Sequence, residues 1–163
     1  MAGAVLTFTS CKKENYDDKY QAKGDYGNAS IVTSNTVTLN NWSEEFNDGI
    51  NYEYSSQIGW PALTQSIIDN GMVMAYLKDG NTWYAMPFSF SDDNYSSQNW
   101  NFSFTTGSAT INVSGYDDFG SYEAADFSGT PVKLVAISNE AKAMHPEVDF
   151  NNYTQVASVF GLK

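Results

Sequence analysis

The chain has one histidine, His145, and one cysteine, Cys11. Chemistry built on an imidazole or a thiolate therefore has a single place to start from. His145 stands before Pro146 in a loop-like stretch, and no G-x-S-x-G elbow offers a serine to it. A Ser-His-Asp arrangement would have to be assembled wholly by folding. We read His145 as a surface residue between two helical pieces. One histidine cannot build a His-based zinc site, and one cysteine cannot close an internal disulfide. The sequence has no H-E-x-x-H, no phosphate-binding glycine loop and no G-x-G-x-x-G.

Carboxylates are the other reactive groups. Calcium takes oxygen ligands, and two acidic loops present them: Asp92-Asp93-Asn94, and Asp117-Asp118 with Glu123 and Asp126. Neither follows the EF-hand spacing, so we read both as solvated turns and assign no metal ligand. Glycoside hydrolysis needs two acids flanking the scissile bond. With 19 Asp and Glu residues some pair always meets that distance, so none is singled out. No catalytic residue and no cofactor is expected.

Aromatic rings that bind sugars must be exposed. Trp100 alternates with Phe102 and Phe104, which reads as core, as do Ile111, Val113, Leu134, Ile137 and Phe160. Trp83 falls in the central hairpin and reads as core or half-buried, and Trp60 precedes a helix at a staple-like position and reads as packed. Trp42, after Asn40-Asn41, is the one tryptophan expected at the surface. A single ring does not make a sugar platform.

These groups need a scaffold, and 163 residues suit one domain with a tail. Hydrophobic residues at 42% and aromatics at 15% are enough for a packed core. Net charge is −11, and all eight basic residues are lysines. Phosphate recognition favours arginine forks and a basic face, so nucleic acid is excluded as a partner.

Short strands separated by turn residues fill the chain from residue 31 onward. Residues 36–39 and 50–57 are the first two, the latter with Tyr52 and Tyr54 on one side. Residues 61–70 read as a helix with Pro61 at its first position and Gly71 just past its end. Residues 72–77 and 82–90 read as a central hairpin turning at Asp79-Gly80 and apolar on both faces. Residues 100–105 and 109–114 form a second hairpin, 115–129 a loop, and 132–137 a buried strand. A last helix runs from an Asp149 cap to Gly161. The fold class is mainly β (α+β): an antiparallel β-sandwich-like domain of about seven strands with two short helices.

The N-terminus has a different character. Residues 2–9 are small and apolar and run into Ser10-Cys11. This length suits a signal segment and not a membrane span of about 20 residues. Leu6-Thr7-Phe8-Thr9-Ser10-Cys11 resembles the lipobox of bacterial lipoproteins, with Phe8 where leucine is usual. The resemblance implies cleavage before Cys11 and diacylglycerol on its sulfur. No Lys or Arg precedes the apolar run, so a natural start upstream of Met1 is expected. Residues 12–27 are polar and lack apolar periodicity, the composition of a flexible tether. The organisation expected is a signal remnant at 1–10, a tether at 11–30 and a single β-rich domain at 31–163.

The segments MVMAYL, Trp83-Tyr84-Ala85-Met86-Pro87-Phe88, VKLVAI and Asp149-Phe150-Asn151-Asn152-Tyr153 resemble small Bacteroidetes envelope lipoproteins, over roughly residues 36–163. The resemblance implies an envelope location and a β-rich domain, and no activity. We therefore expect a protein of the bacterial cell envelope, at the outer membrane, with surface display as one option. Its partners would be the membrane, through the lipid anchor, and a glycan or an envelope protein. The function expected is a non-catalytic binding or structural module. The alternatives are a carbohydrate-binding accessory protein for glycan uptake and a small hydrolase. Exposed aromatic rings would favour the glycan, and a deep pocket at His145 or at two carboxylates the hydrolase.

Overall fold

Two antiparallel sheets stack face to face, and short helices cover the outer side of one of them. The structure, a computed structural model, describes residues 32–92, 95–120 and 122–162. Cys11 and the segments expected to be a signal remnant and a tether lie outside the described residues.

In chain order the strands are β1 (Val32–Leu39), β2 (Ser43–Asn47), β3 (Asn51–Gly59), β4 (Met72–Asp79), β5 (Thr82–Ala85), β6 (Phe88–Asp92), β7 (Ser96–Thr105), β8 (Ser108–Asp117) and β9 (Thr130–Ile137). The helices are α1 (Gln65–Asn70), α2 (Asn139–Met144) and α3 (Tyr153–Phe160), with a 3-10 turn at Ala124–Phe127. The four-stranded sheet has the order β1-β9-β4-β5, and the five-stranded sheet β2-β3-β8-β7-β6.

This bears out the antiparallel, mainly β sandwich and refines its count. Among the described residues β2 is an added strand, and residues 82–90 form two strands instead of one. The break falls at Pro87, which has no N–H to give to a ladder. Before it, β5 pairs with β4; after it, β6 pairs with β7 in the other sheet. The 72–90 hairpin is thus not central as a whole: β4 is an inner strand and β5 an edge. Asp79 pairs with Thr82, so the turn residues are Gly80-Asn81, with Gly80 at φ 55°, and not Asp79-Gly80.

The doubly apolar strands have a direct cause. On β4 and β9, Val73, Ala75, Leu77, Val132, Leu134 and Ala136 join the cluster between the sheets. Met74, Tyr76, Val135 and Ile137, one position out of phase, pack with Ala141, Val148, Tyr153 and Val156 of the helical layer. A strand covered on both sides needs apolar residues in both phases. Fully burying a side chain such as Leu77, Val132, Leu134 or Ile137 stabilises the fold by about 1.5–3 kcal/mol.

The five-stranded sheet is covered on one side only. Tyr52, Tyr54, Trp100, Ile111 and Val113 are buried, while their neighbours Asn51, Glu53, Asn99 and Asn101 are exposed. Gly115 on β8 permits a close approach to β7, since a Cβ there would meet the Ser97 carbonyl oxygen at 1.8 Å.

Several local expectations are corrected. Phe104 is 37% exposed: it touches Phe102 at 5.9 Å near the β7–β8 turn, beyond the buried cluster. Phe102 and Phe160 are half-buried, whereas Trp100, Ile111, Val113, Leu134 and Ile137 are buried as expected. The first helix begins at Gln65, capped by Thr64, whose hydroxyl accepts from the Ile67 N–H. Pro61 sits in a preceding turn, where the Leu63 N–H donates to the Trp60 carbonyl and the Gly107 N–H to that of Leu63. Asn152, not Asp149, caps the last helix by accepting from the Gln155 N–H at 3.1 Å. Asp149 instead turns the chain just before it, accepting from the Asn151 N–H. The stretch 139–144 is a third α-helix, capped by Ser138.

Candidate functional site

His145 lies at the C-terminal cap of α2, as expected of a surface residue between helical pieces. Its Nδ1 is 3.3 Å from Glu147 Oε1, and its ring meets Phe160 edge-on at 5.2 Å. Among the described residues no hydroxyl hydrogen-bonds to it.

The second acidic loop uses its carboxylates on backbone. Asp117 accepts from the Phe119 N–H at 2.8 Å, and Asp126 from the Glu123 N–H at 2.8 Å, closing a capping box on the 3-10 turn. Asp93 and Asn94 of the first loop lie outside the described residues. Among the described residues no three His, Cys, Asp or Glu side chains converge to hold a metal ion.

Trp42 is not the exposed ring expected. Its indole packs edge-on to Trp100 at 6.0 Å and its N–H donates to the Phe127 carbonyl at 3.1 Å. Exposed rings among the described residues include Phe46, Phe104 and the Tyr95–Phe119 pair; two further places, which sequence reasoning did not single out, each gather three rings.

The first is an overhang where the two sheets meet at β5 and β6. Tyr84 stands opposite Leu77, Phe88 opposite Trp100 and Phe90 opposite Gln98, so all three are on core-side positions of their strands. Tyr84 and Phe90 are nonetheless each 37% exposed. The rings form one cluster, with centroids 5.6 Å (Tyr84–Phe88), 5.8 Å (Tyr84–Phe90) and 5.0 Å (Phe88–Phe90) apart. The cause is topological: both strands are edges, and β5 is only four residues long. The alternation of Phe88 and Phe90 was readable, but not which of the two sheets would leave them uncovered.

The second is a shallow groove of about 400 Å³ on the helical side of the four-stranded sheet. One wall is Asn81, Thr82 and Trp83, from the β4–β5 turn and the start of β5. The other is the entry to α3, with Asp149, Asn151 and Asn152 leading into Tyr153. Trp83 and Tyr153 are in contact, with ring centroids 5.0 Å apart. Tyr153 rests on Tyr76 at 5.1 Å, and the Tyr76 hydroxyl donates to the Phe150 carbonyl at 2.5 Å. Burial, ahead of its neighbours Tyr153 and Asp149, holds the Tyr76 phenol well above the ordinary tyrosine range. The ammonium of buried Lys133 lies 5.9 Å from the Trp83 ring and 5.6 Å from that of Tyr153, and that of Lys78 lies 5.8 Å from Trp83. The groove floor is therefore a packed aromatic and cationic stack, with its rim made of amides, hydroxyls and one carboxylate.

Comparison with known proteins finds no match: no protein family, no curated protein and no solved structure matches this chain. Among the described residues no helix is long and apolar enough to cross a membrane.

Proposed function

We propose that this chain is a non-catalytic binding module, held at a bacterial cell envelope by lipid on Cys11, that contacts another macromolecule through the Tyr84–Phe88–Phe90 overhang. The observation that carries the reading is the exposure of Tyr84 and Phe90 from core-side positions. Contiguous exposed apolar surface marks an interaction site far more often than scattered residues do. Aromatic rings also give large contact area for few rotatable bonds, which suits them to anchoring a partner. The net charge of −11 without arginine turns the module away from nucleic acid and towards a neutral or basic envelope partner. A carbohydrate-binding accessory role is the second reading, and the Trp83 groove favours it.

The test is site-specific photo-crosslinking in the bacterium that makes the protein. A crosslinking side chain at Phe90 should give a discrete adduct. The same group at Ser103, an exposed residue of β7, should give none. Equal adducts at both positions, or none at either, would remove the reading.

A further inference from the structure

We propose that the Trp83 groove binds a neutral saccharide. This rests on the binding-module reading and adds a ligand class and a site to it. At about 400 Å³ the groove is near the lower end of the volumes of small-ligand sites, enough for a short sugar segment lying along it.

The lining decides the ligand class. Sugar recognition needs an aromatic surface for the C–H face of the ring and planar polar groups for neighbouring hydroxyls. Trp83 is half-exposed and braced from behind by Tyr153, so its orientation is set before a ligand arrives and little ordering cost falls on binding. Among the described residues the Trp83 indole N–H has no acceptor, and the side chains of Asn81 and Asn151 make no hydrogen bond. Asn152 spends its carbonyl oxygen on the Gln155 N–H and keeps its amide N–H₂. Asp149 spends one carboxylate oxygen on Asn151 and keeps the other. Donors and acceptors are thus both on offer around one ring.

Other ligand classes fit less well. A phosphate or a uronate would face the Asp149 carboxylate at the rim, while the Lys133 ammonium is buried beneath the rings. A lipid tail would leave the three amides unpaired, at a desolvation cost. One carboxylate is too few for a metal ion.

The experiment follows the Trp83 indole N–H signal by NMR in the lipid-free chain, assigned by its loss in Trp83→Phe. The probes are hexasaccharides of glucose, mannose, xylose and galactose, with oligogalacturonate, inorganic phosphate and a neutral tripeptide as contrasts, each up to about 10 mM. At least one neutral hexasaccharide should shift the signal saturably, and the contrasts should not. Asn81→Ala and Asn151→Ala, both exposed, should each weaken binding about fivefold, the loss of one net hydrogen bond. Unchanged Trp42 and Trp100 indole signals would show that these variants remain folded. No shift with any neutral sugar, a stronger shift with a contrast, or indifference to both asparagine changes would overturn the proposal. If the Phe90 adduct persists while the sugars fail, only the ligand assignment falls. If both fail, the binding-module reading falls with it.

Discussion

The indole N–H of Trp42 donates to the carbonyl of Phe127, 85 positions away in the chain, at 3.1 Å. The Phe127 side chain lies at the centre of an aromatic cluster with Trp42, Tyr52, Tyr54, Trp100 and Tyr122, all within 5.9 Å between centroids. The bond ties the segment before β2 to the 3-10 turn before β9, so that both ends of a long excursion close on one core. The Thr130 hydroxyl donates to the same carbonyl at 2.8 Å.

Trp42→Phe should therefore cost about 1 kcal/mol, since the Phe127 carbonyl retains Thr130 as a partner. Trp42→Ala should cost about 3 kcal/mol, because it also empties the ring's place against Trp100 and Phe127. Urea unfolding measures both. Equal losses for the two variants would mean that the ring contributes nothing beyond its hydrogen bond.

Burial on the β7–β8 hairpin divides sharply between neighbours. Ile111 is 0% exposed and Phe104 37% exposed, though both stand on the same face. Ile111→Ala should cost about 2–5 kcal/mol, and Phe104→Ala less than about 1 kcal/mol. Denaturant midpoints give the comparison. A larger loss at Phe104 would show that this end of the sandwich is covered.

Alkaline pH should unfold the domain through two phenols. Burial, the foremost cause at both sites, raises Tyr52 and Tyr76 far above the ordinary tyrosine value of 10. The folded state then holds these protons more tightly than the unfolded state. Their contribution is fully present below about pH 10 and is lost as the pH climbs above it. Absorbance of tyrosinate should show these two of the 11 tyrosines ionising only together with loss of circular dichroism. The Tyr52→Phe/Tyr76→Phe protein should lose stability at neutral pH, yet show a shallower decline above about pH 10. An equally steep decline would place the alkaline transition on other groups.

The proposed lipid anchor has its own test at Cys11. Burial of acyl chains is worth about 0.8 kcal/mol per CH₂, and lasting attachment takes more than one chain. Expressed with its natural leader, the wild type should fractionate with membranes and incorporate a palmitate analogue. Cys11→Ser should do neither, while melting at the same temperature as a soluble form begun at Ser30. Unlabelled wild type in the soluble fraction would end the lipoprotein reading.

Much of the fold was legible in the chain because alternation is local. Tyr52 and Tyr54 declare an inner face by their spacing alone, and the doubly apolar runs of β4 and β9 declare burial from two sides. Gly161 marked the end of α3, where φ is 64°. Residues 82–90 read as one strand through Pro87, because that the chain breaks and changes sheets there depends on the partners β5 and β6 find, β4 and β7. Trp42 looked exposed among polar neighbours because Phe127, which buries it, is remote in sequence. The Trp83 groove unites residues 81–83 with residues 149–154, and no periodicity links segments so far apart. Strand phase follows from the pleat of a few consecutive residues, whereas a site made by α3 lying against β5 exists only once the whole chain has packed.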